Sequence, residues 1–537
     1  MFLSIGAKNF FGFVMREKEK TTLRKIEHHS RESFYLIVRG AEVGVFAGLV
    51  CVAYRKLLEL SEGWLFQVID YVKGSPLKTA LWLLALGLIG VIVHYIVKAA
   101  PESAGSGIPQ VTGEVKGYLT SPWLRTLCAK LLGGSLSVFA GLSLGREGPS
   151  VQLAGMAAKG VAKITKADKT TTLRMISCGA GAGLSAAFNA PLAGIMYVLE
   201  EIHRTFDKSI LCMGIVAAVV ADYISKFFFG QNTIFNYQTE NVPLRHYWLL
   251  IIMGLLLGLL GAFYNWFMLK TQDLYKRISK IPEPIKLAIV FVVSGVVGLW
   301  LPQVLCGGHR MAELLITEHP SIRVLLALCV AKFLFGAFSF GSGAPGGTLY
   351  PLSILGTYIG AIYGDFVIGA FDLNPDLWQE FVVLGMAGFF ASIVRAPITG
   401  VIVVFEISGN MNNILPLATV ALISYATANT LGSVPFYDAS LERILKAKGM
   451  PTGEDGKVGE RVLQTYVVPL GSKIVGKTLA EVDWGKHCLV VAIERGELSV
   501  TPKGDTEIMA GDTLLIMVSQ RRFSQDRNRL DNIINGN

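Results

Sequence analysis

The chain has 537 residues, a mean hydropathy of +0.49 and 17% charged residues, where a soluble chain of this size would carry roughly 25% charge. Apolar runs such as 79–100, 246–270 and 284–301 reach the length of about 20 residues that a bilayer-spanning helix requires. These features exclude an ordinary soluble enzyme and predict an all-α polytopic membrane protein with about ten or more intramembrane segments, several interrupted by Gly and Pro. The net charge of +9 is concentrated in 1–33, 163–174, 270–280 and 443–463, whereas DLNPDLWQE (372–380) has acids and no base. The positive-inside rule puts the basic loops and both termini on the cytoplasmic side of a plasma membrane. Basic runs this short and this close to a bilayer read as topology-setting loops, not as a nucleic-acid surface.

Three parts follow one another. Residues 1–33 form a polar, basic arm with no cleavable signal peptide, and its first stretch is compatible with an interfacial amphipathic helix. Residues 34–448 form the membrane body. A hydrophilic linker, 449–462, leads into short β-branched runs separated by Gly and Asp turns: YVVPL, CLVVAIE, ELSVTP and DTLLIMVSQ. They predict a small cytoplasmic α+β domain over 463–522, followed by a tail, 523–537. The seven scattered cysteines, without C-x-x-C, read as small buried hydrophobes. CGGH at 306–309 has no second ligand pair to complete a metal site.

The body repeats itself, over about 34–230 and 246–440. LCAKLLGG (127–134) matches ALCVAKFLFG (327–336), aligning Lys130 with Lys332, and at the same offset GREGP (145–149) aligns with GTLYP (347–351). GAGAGLSAAFNAPLAGIMYVLEEI (179–202) resembles GMAGFFASIVRAPITGVIVVFEIS (385–408), aligning Glu200 with Glu406. Internal repeats with Gly/Pro-interrupted helices at matching places mark many transporters, whose site lies at the repeat interface. If the repeats are inverted, GREGP and GTLYP approach the midplane from opposite sides. Gly254-x-x-x-Gly258 and GAGAG at 179–183 suit close helix packing. Arg395 and Glu406 read as buried structural charges.

Three glycine-rich stretches, GSGIP (105–109), GREGP (145–149) and GSGAPGGTLYP (341–351), each precede a helix-compatible apolar run. Glycine permits tight turns and close approach, proline suits a first helical turn, and a helix start presents unpaired N–H groups and partial positive charge. Several such ends meeting in a membrane form an anion site without a cationic head group that would hold the ion too tightly. Two readings of Glu147 are then open. It occupies that site when ionised and leaves when protonated, acting as gate and proton carrier, or it caps a helix and pairs with Arg146. EEIHR (200–204) likewise reads either as helix-end acids in solvent or as a proton port. Tyr437 is an interface aromatic or a hydroxyl donor to an anion.

GSGIP, GREGP, GTLYP and the late Tyr437, in that order and on an internal repeat, resemble the CLC family of chloride channels and chloride/proton exchangers over about residues 34–445. The resemblance implies an inverted-repeat fold with broken helices, a homodimer with one pathway per subunit, and chloride as the bound substrate ion with no cofactor. It implies hydroxyls of Ser106 and Tyr437 and backbone amides of Thr348 and Leu349 at a central anion, and amides of Arg146 and Gly148 at an outer one. It makes Glu147 the gating glutamate and Glu201 the internal proton-transfer acid, which favours an exchanger over a passive channel. Ser106 favours chloride over nitrate. The usual GIFAP reads GTLYP here, which reshapes the pocket wall. The C-terminal stretch is similar to the RCK/TrkA C-terminal domain, a type that often binds small ligands and dimerises; no nucleotide fingerprint is present. An intramembrane hydrolase is the alternative from another class, and only His94 lies where a serine could use it.

Overall fold

The computed structural model describes residues 3–231, 237, 242–278, 280–409, 414–450, 461–485, 488–496, 498–519 and 529–534, with side chains described from Phe34 onward except at 461, 462 and 519. The expectations for the amphipathic character of the N-terminal arm, for most of the linker and for much of the tail lie outside the described residues. The chain divides into a membrane unit, 1–441, and a C-terminal unit, 442–537.

The membrane unit is helical throughout. Its first half comprises α1 (Leu3–Val72), α2 (Pro76–Ala99), α3 (Ile108–Val115), α4 (Trp123–Phe139), α5 (Glu147–Ile164), α6 (Lys169–Phe188), α7 (Pro191–Tyr197), which continues as a π-helical turn over Val198–His203, and α8 (Lys208–Phe229). Its second half repeats the order: α9 (Tyr247–Arg277), α10 (Glu283–Trp300), α11 (His309–Thr317), α12 (Ile322–Gly341), α13 (Leu349–Phe371), α14 (Trp378–Val394), α15 (Pro397–Ser408) and α16 (Ile414–Thr430). A final helix, α17 (Phe436–Ala447), carries the chain out of the membrane unit. Among the described residues eight helical segments are long and apolar enough to cross a bilayer. Their outward faces are apolar, as at Leu84, Phe227 and Phe366, which is the inverse of a water-soluble surface.

The packing is duplicated with the sequence. Helix α1 lies on α8 and α9 on α16; α5 lies on α6 and α13 on α14. Small residues allow these contacts. A Cβ at Gly254 would sit 2.8 Å from the Cβ of Ile423, and one at Gly258 would sit 2.5 Å from the Cβ of Thr427, so the predicted small-residue face of α9 is the one on α16. Gly145 and Gly347, equivalent positions of the two repeats, form an antiparallel β-bridge, N–H to O=C both ways at 2.7 and 2.8 Å. An antiparallel bridge between equivalent residues has a local two-fold axis through it, so the halves enter from opposite directions.

The C-terminal unit holds a four-stranded antiparallel sheet in the order β1-β4-β2-β3, with β1 Arg461–Val467, β2 Leu489–Arg495, β3 Leu498–Val500 and β4 Thr513–Ser519. Strand β1 begins earlier than YVVPL implied, because Arg461 to Val467 all pair with β4, and it ends before Pro469, which has no N–H for a ladder. Leu479, Ile493, Ile508, Leu514, Ile516 and Leu530 fill its separate core. Asp512 fixes the turn before β4: its two oxygens accept from Nε and Nη2 of Arg495, each at 2.8 Å, and one accepts from the Met509 amide at 2.9 Å.

Those donors, Arg495 first, hold the Asp512 carboxyl below its ordinary value, so its stabilisation is complete above the ordinary carboxylate range, about pH 3.9, and is lost as pH falls through the lower folded value. At neutral pH Asp512→Asn is expected to destabilise this unit by about 2 kcal/mol, read as faster amide exchange of β2 and β4 in the full chain; exchange matching wild type would refute the assignment.

Candidate functional site

Three helix starts converge through main-chain contacts. The chain enters α3 through Gly105 (φ +61°) and Gly107 (φ +91°), left-handed conformations that favour glycine. A Cβ at Gly107 would also strike Gln152 Oε1 at 2.4 Å. Gly105 N–H donates to the Gly343 carbonyl at 3.3 Å, and Gly346 N–H donates to the Gly105 carbonyl at 3.0 Å. With the Gly145–Gly347 bridge, these bonds tie the loops before α3, α5 and α13 into one knot.

The sequence-predicted residues line this knot. Ser106 is buried, and a Cβ on Gly148 would lie 3.1 Å from both Ser106 and the Cα of Gly347, so these backbones are in direct contact. Thr348 precedes α13 and Leu349 opens it; both are buried. The Thr348 hydroxyl is 3.5 Å from that of Tyr437, on the first turn of α17. Tyr437 is 2% exposed, which rules out an interface-belt role. Ser106, Gly148, Thr348, Leu349 and Tyr437 therefore form one chain of neighbours, with the unpaired N–H groups of two helix starts among them.

Glu147 is the first residue of α5 and is 0% exposed. The Arg146 Nε atom is 3.6 Å from its Oε1. The backbone N–H groups of Glu147, Tyr350 and Arg146 surround the carboxylate, yet neither oxygen makes a hydrogen bond of normal geometry with the described residues. A Cβ on Gly145 would fall 2.6 Å from Oε2, so the carboxylate is folded against the glycine of its own motif. A buried carboxylate that is encircled by donors but bonded to none is not a settled cap. Beside it lies a cavity of about 270 Å³ lined by Arg55, Glu62, Arg146, Glu147, His309 and Tyr350, among others.

Glu201 is 3% exposed within the π-helical turn that ends α7. Tyr197 lies within electrostatic reach of both Glu201 and Tyr437, and Arg204, just beyond the turn, pairs with Asp438 beside Tyr437. The second acid of EEIHR is thus buried within electrostatic reach of Tyr437 and is not in solvent. The first is not in solvent either: Glu200 accepts from the amides of Ile398 and Thr399 at 3.0 and 2.7 Å and caps α15. Its repeat partner Glu406 accepts from the amides of Leu192 and Ala193 at 3.1 and 2.8 Å and caps α7. Arg395 (φ +72°) is structural as expected, donating to the carbonyls of Tyr425, Ala428 and Ser433.

Sequence reasoning missed a fourth turn. CGGH is the second-repeat counterpart of GSGI: Cys306 (φ +53°) and Gly308 (φ +98°) mirror Gly105 and Gly107. Fully buried Lys130 donates to the carbonyls of Ser103 and Gly105, and fully buried Lys332 donates to those of Val304 and Cys306. Aligning Pro101 with Pro302 and Gly107 with Gly308 would have revealed it.

A family model described as voltage gated chloride channel matches residues 89–429, more than half of the chain. The chain belongs to the voltage-gated chloride channel, or CLC, family. A TrkA-C domain model matches residues 463–530. Similar proteins of this CLC family include the H(+)/Cl(-) exchange transporter ClcA of Vibrio parahaemolyticus, 34% identical over 81% of this chain and 95% of that protein. The protein of the same name from Klebsiella pneumoniae strain 342 is 31% identical over 80% and 93%. Among solved structures, a slow cyanobacterial Cl⁻/H⁺ antiporter superposes with a TM-score of 0.74 at 29% identity, covering 77% of this chain and 99% of that one. A CLC-type fluoride/proton antiporter shares the fold, with a TM-score of 0.63 at 20% identity over 75% and 97%.

The reciprocal caps make a direct prediction. Glu200→Ala leaves the first amides of α15 without their carboxylate acceptor, at a cost of about 1–2 kcal/mol. Detergent-solubilised protein should melt at a lower temperature than wild type, and an unchanged melting temperature would contradict the cap.

Proposed function

We propose that this CLC chain is a chloride/proton antiporter of a prokaryotic plasma membrane, with both termini cytoplasmic, working as a homodimer with one pathway per subunit. The observation that carries the reading is the Glu147 carboxylate, buried at a helix start and hydrogen-bonded to nothing among the described residues. The orientation rests on the basic loops, one of which follows α5; Glu147 begins that helix, about 25 Å from the loop, and so faces the outer side.

The mechanism follows from one competition. Chloride and the ionised Glu147 side chain are both anions, and both suit the same unpaired amides and partial positive charge. Ser106 and Tyr437 offer hydroxyls, and Thr348 and Leu349 offer amides, to a central chloride. The amides of Arg146 and Gly148 serve an outer position that the carboxylate contests. A proton on Glu147 removes its charge and its claim on the amides, so chloride takes the place as the proton leaves with the side chain. Glu201 supplies or receives that proton on the cytoplasmic side, by way of the region of Tyr197 and Tyr437. Thr348, which in the family's usual motif is Ile, adds a hydroxyl against Tyr437. Similarity to the TrkA-C domain supports a small-ligand role for the C-terminal unit.

In liposomes with an imposed chloride gradient and voltage clamped by a potassium ionophore, wild type should move protons against their own gradient. Chloride flux without proton movement would make the chain a passive channel. Glu147→Ala should abolish proton movement and keep chloride flux; intact coupling in that variant would refute the gate. Glu201→Gln should also stop protons while sparing chloride, whereas loss of both fluxes would assign Glu201 a structural role.

A further inference from the structure

The outer cavity holds two side chains that this mechanism leaves unused. His309 opens α11 immediately after the left-handed Gly308. Its two ring nitrogens face different partners: Nδ1 is 3.2 Å from the Tyr350 hydroxyl, and Nε2 is 3.4 Å from the Glu313 carboxylate one turn along. The imidazole is 52% exposed and Tyr350 only 5%, so the pair spans the step from solvent to interior. The Tyr350 ring lies against Gly307, where a Cβ would sit 2.9 Å from Cδ1. Tyr350 also supplies one of the amides around the Glu147 carboxylate. Tyr350 stands in GTLYP where the usual GIFAP has alanine, which has no hydroxyl to offer.

Resting on the antiport reading, we propose that His309 and Tyr350 form a proton relay between the outer solution and Glu147. The His309 imidazolium gives its Nδ1 proton to the Tyr350 oxygen while the Tyr350 hydroxyl proton passes to cavity water and on to the Glu147 carboxylate. Glu147 becomes the neutral acid, His309 the neutral imidazole, and the outer solution restores the imidazolium; reversal carries a proton out. Histidine is the side chain that ordinarily changes charge between pH 5 and 8, and among the described residues lining the cavity His309 is the one imidazole. The charged and titratable groups around it and its cavity are Glu313 and Arg310 on α11, Cys306 in the turn before α11, Arg55, Glu59 and Glu62 on α1, Arg146 and Glu147 at the start of α5, Lys332 on α12 and Tyr350 on α13. Tyr350 is a transfer member of the relay through its hydroxyl, and because its ring packs on Gly307 independently of that hydroxyl, Tyr350→Phe removes the relay atom alone.

The test uses full-length protein in liposomes, with proton and chloride fluxes recorded together while pH is stepped on each face in turn. Wild-type coupled flux should change across the range in which an imidazole titrates when the outer face is stepped. In His309→Gln and in Tyr350→Phe that dependence should disappear, with proton movement at least about tenfold slower at the acidic end. Retention of the wild-type pH profile in either variant, or an equal loss at every pH, overturns the relay. A wild type that moves chloride without protons would instead overturn the antiport reading, and the relay with it.

Discussion

Two reciprocal N–H to C=O bonds between Gly145 and Gly347 hold the transport region together. They join equivalent points of the two repeats and bring the starts of α5 and α13 together, and the neighbouring bonds from Gly105 to Gly343 and Gly346 add the start of α3. Glycine is required on both sides because the backbones themselves touch. A Cβ on Gly347 would meet the Gly148 amide nitrogen at 2.9 Å. Main-chain donors assembled this way attract an anion without committing a full positive charge to it.

Basic side chains nevertheless stand one layer away. Lys130 and Lys332 are fully buried, and each spends its Nζ hydrogens on carbonyl oxygens of a left-handed turn. Each lysine pins the loop that leads into α3 or α11, and it does so by satisfying acceptors that no helix can reach. The two-fold relation between the repeats thus places one braced turn in each half, and the two turns differ in what they carry: Ser106 against Gly148 in one, His309 at the cavity beside Glu147 in the other.

Much of this was legible in the sequence. Membrane class, the repeat, the three glycine-rich starts and the charges at 147 and 201 are one-dimensional signals, visible as hydropathy, spacing and rare residues in apolar surroundings. Burial of Tyr437 was not legible in hydropathy, because an aromatic after a long apolar run looks the same whether it turns inward or sits at an interface; only the family resemblance pointed it inward. Glu200 looked solvated because its partners, the amides of Ile398 and Thr399, lie in the other repeat and backbone donors leave no mark on sequence. The CGGH turn was obscured by a cysteine and a histidine that suggest metal chemistry and hide the alignment with GSGI. The early start of β1 was missed because RVLQT does not alternate apolar with polar residues: the alternate positions Arg461, Leu463 and Thr465 mix the two, as do Val462 and Gln464, a mixture that an edge strand tolerates.

The exchange of carboxylates between Glu200 and Glu406 bears on how such a protein is made. Helix α7 is complete in the chain long before its capping acid exists, for Glu406 follows Leu192 by 214 positions. A ribosome that has delivered only the first repeat into the membrane has delivered a helix start with bare amides in a medium that offers no water to cover them. The first half is therefore an unfinished object until the second is threaded beside it, and the same holds for a duplicated ancestor, whose two copies would each have needed the other's glutamate.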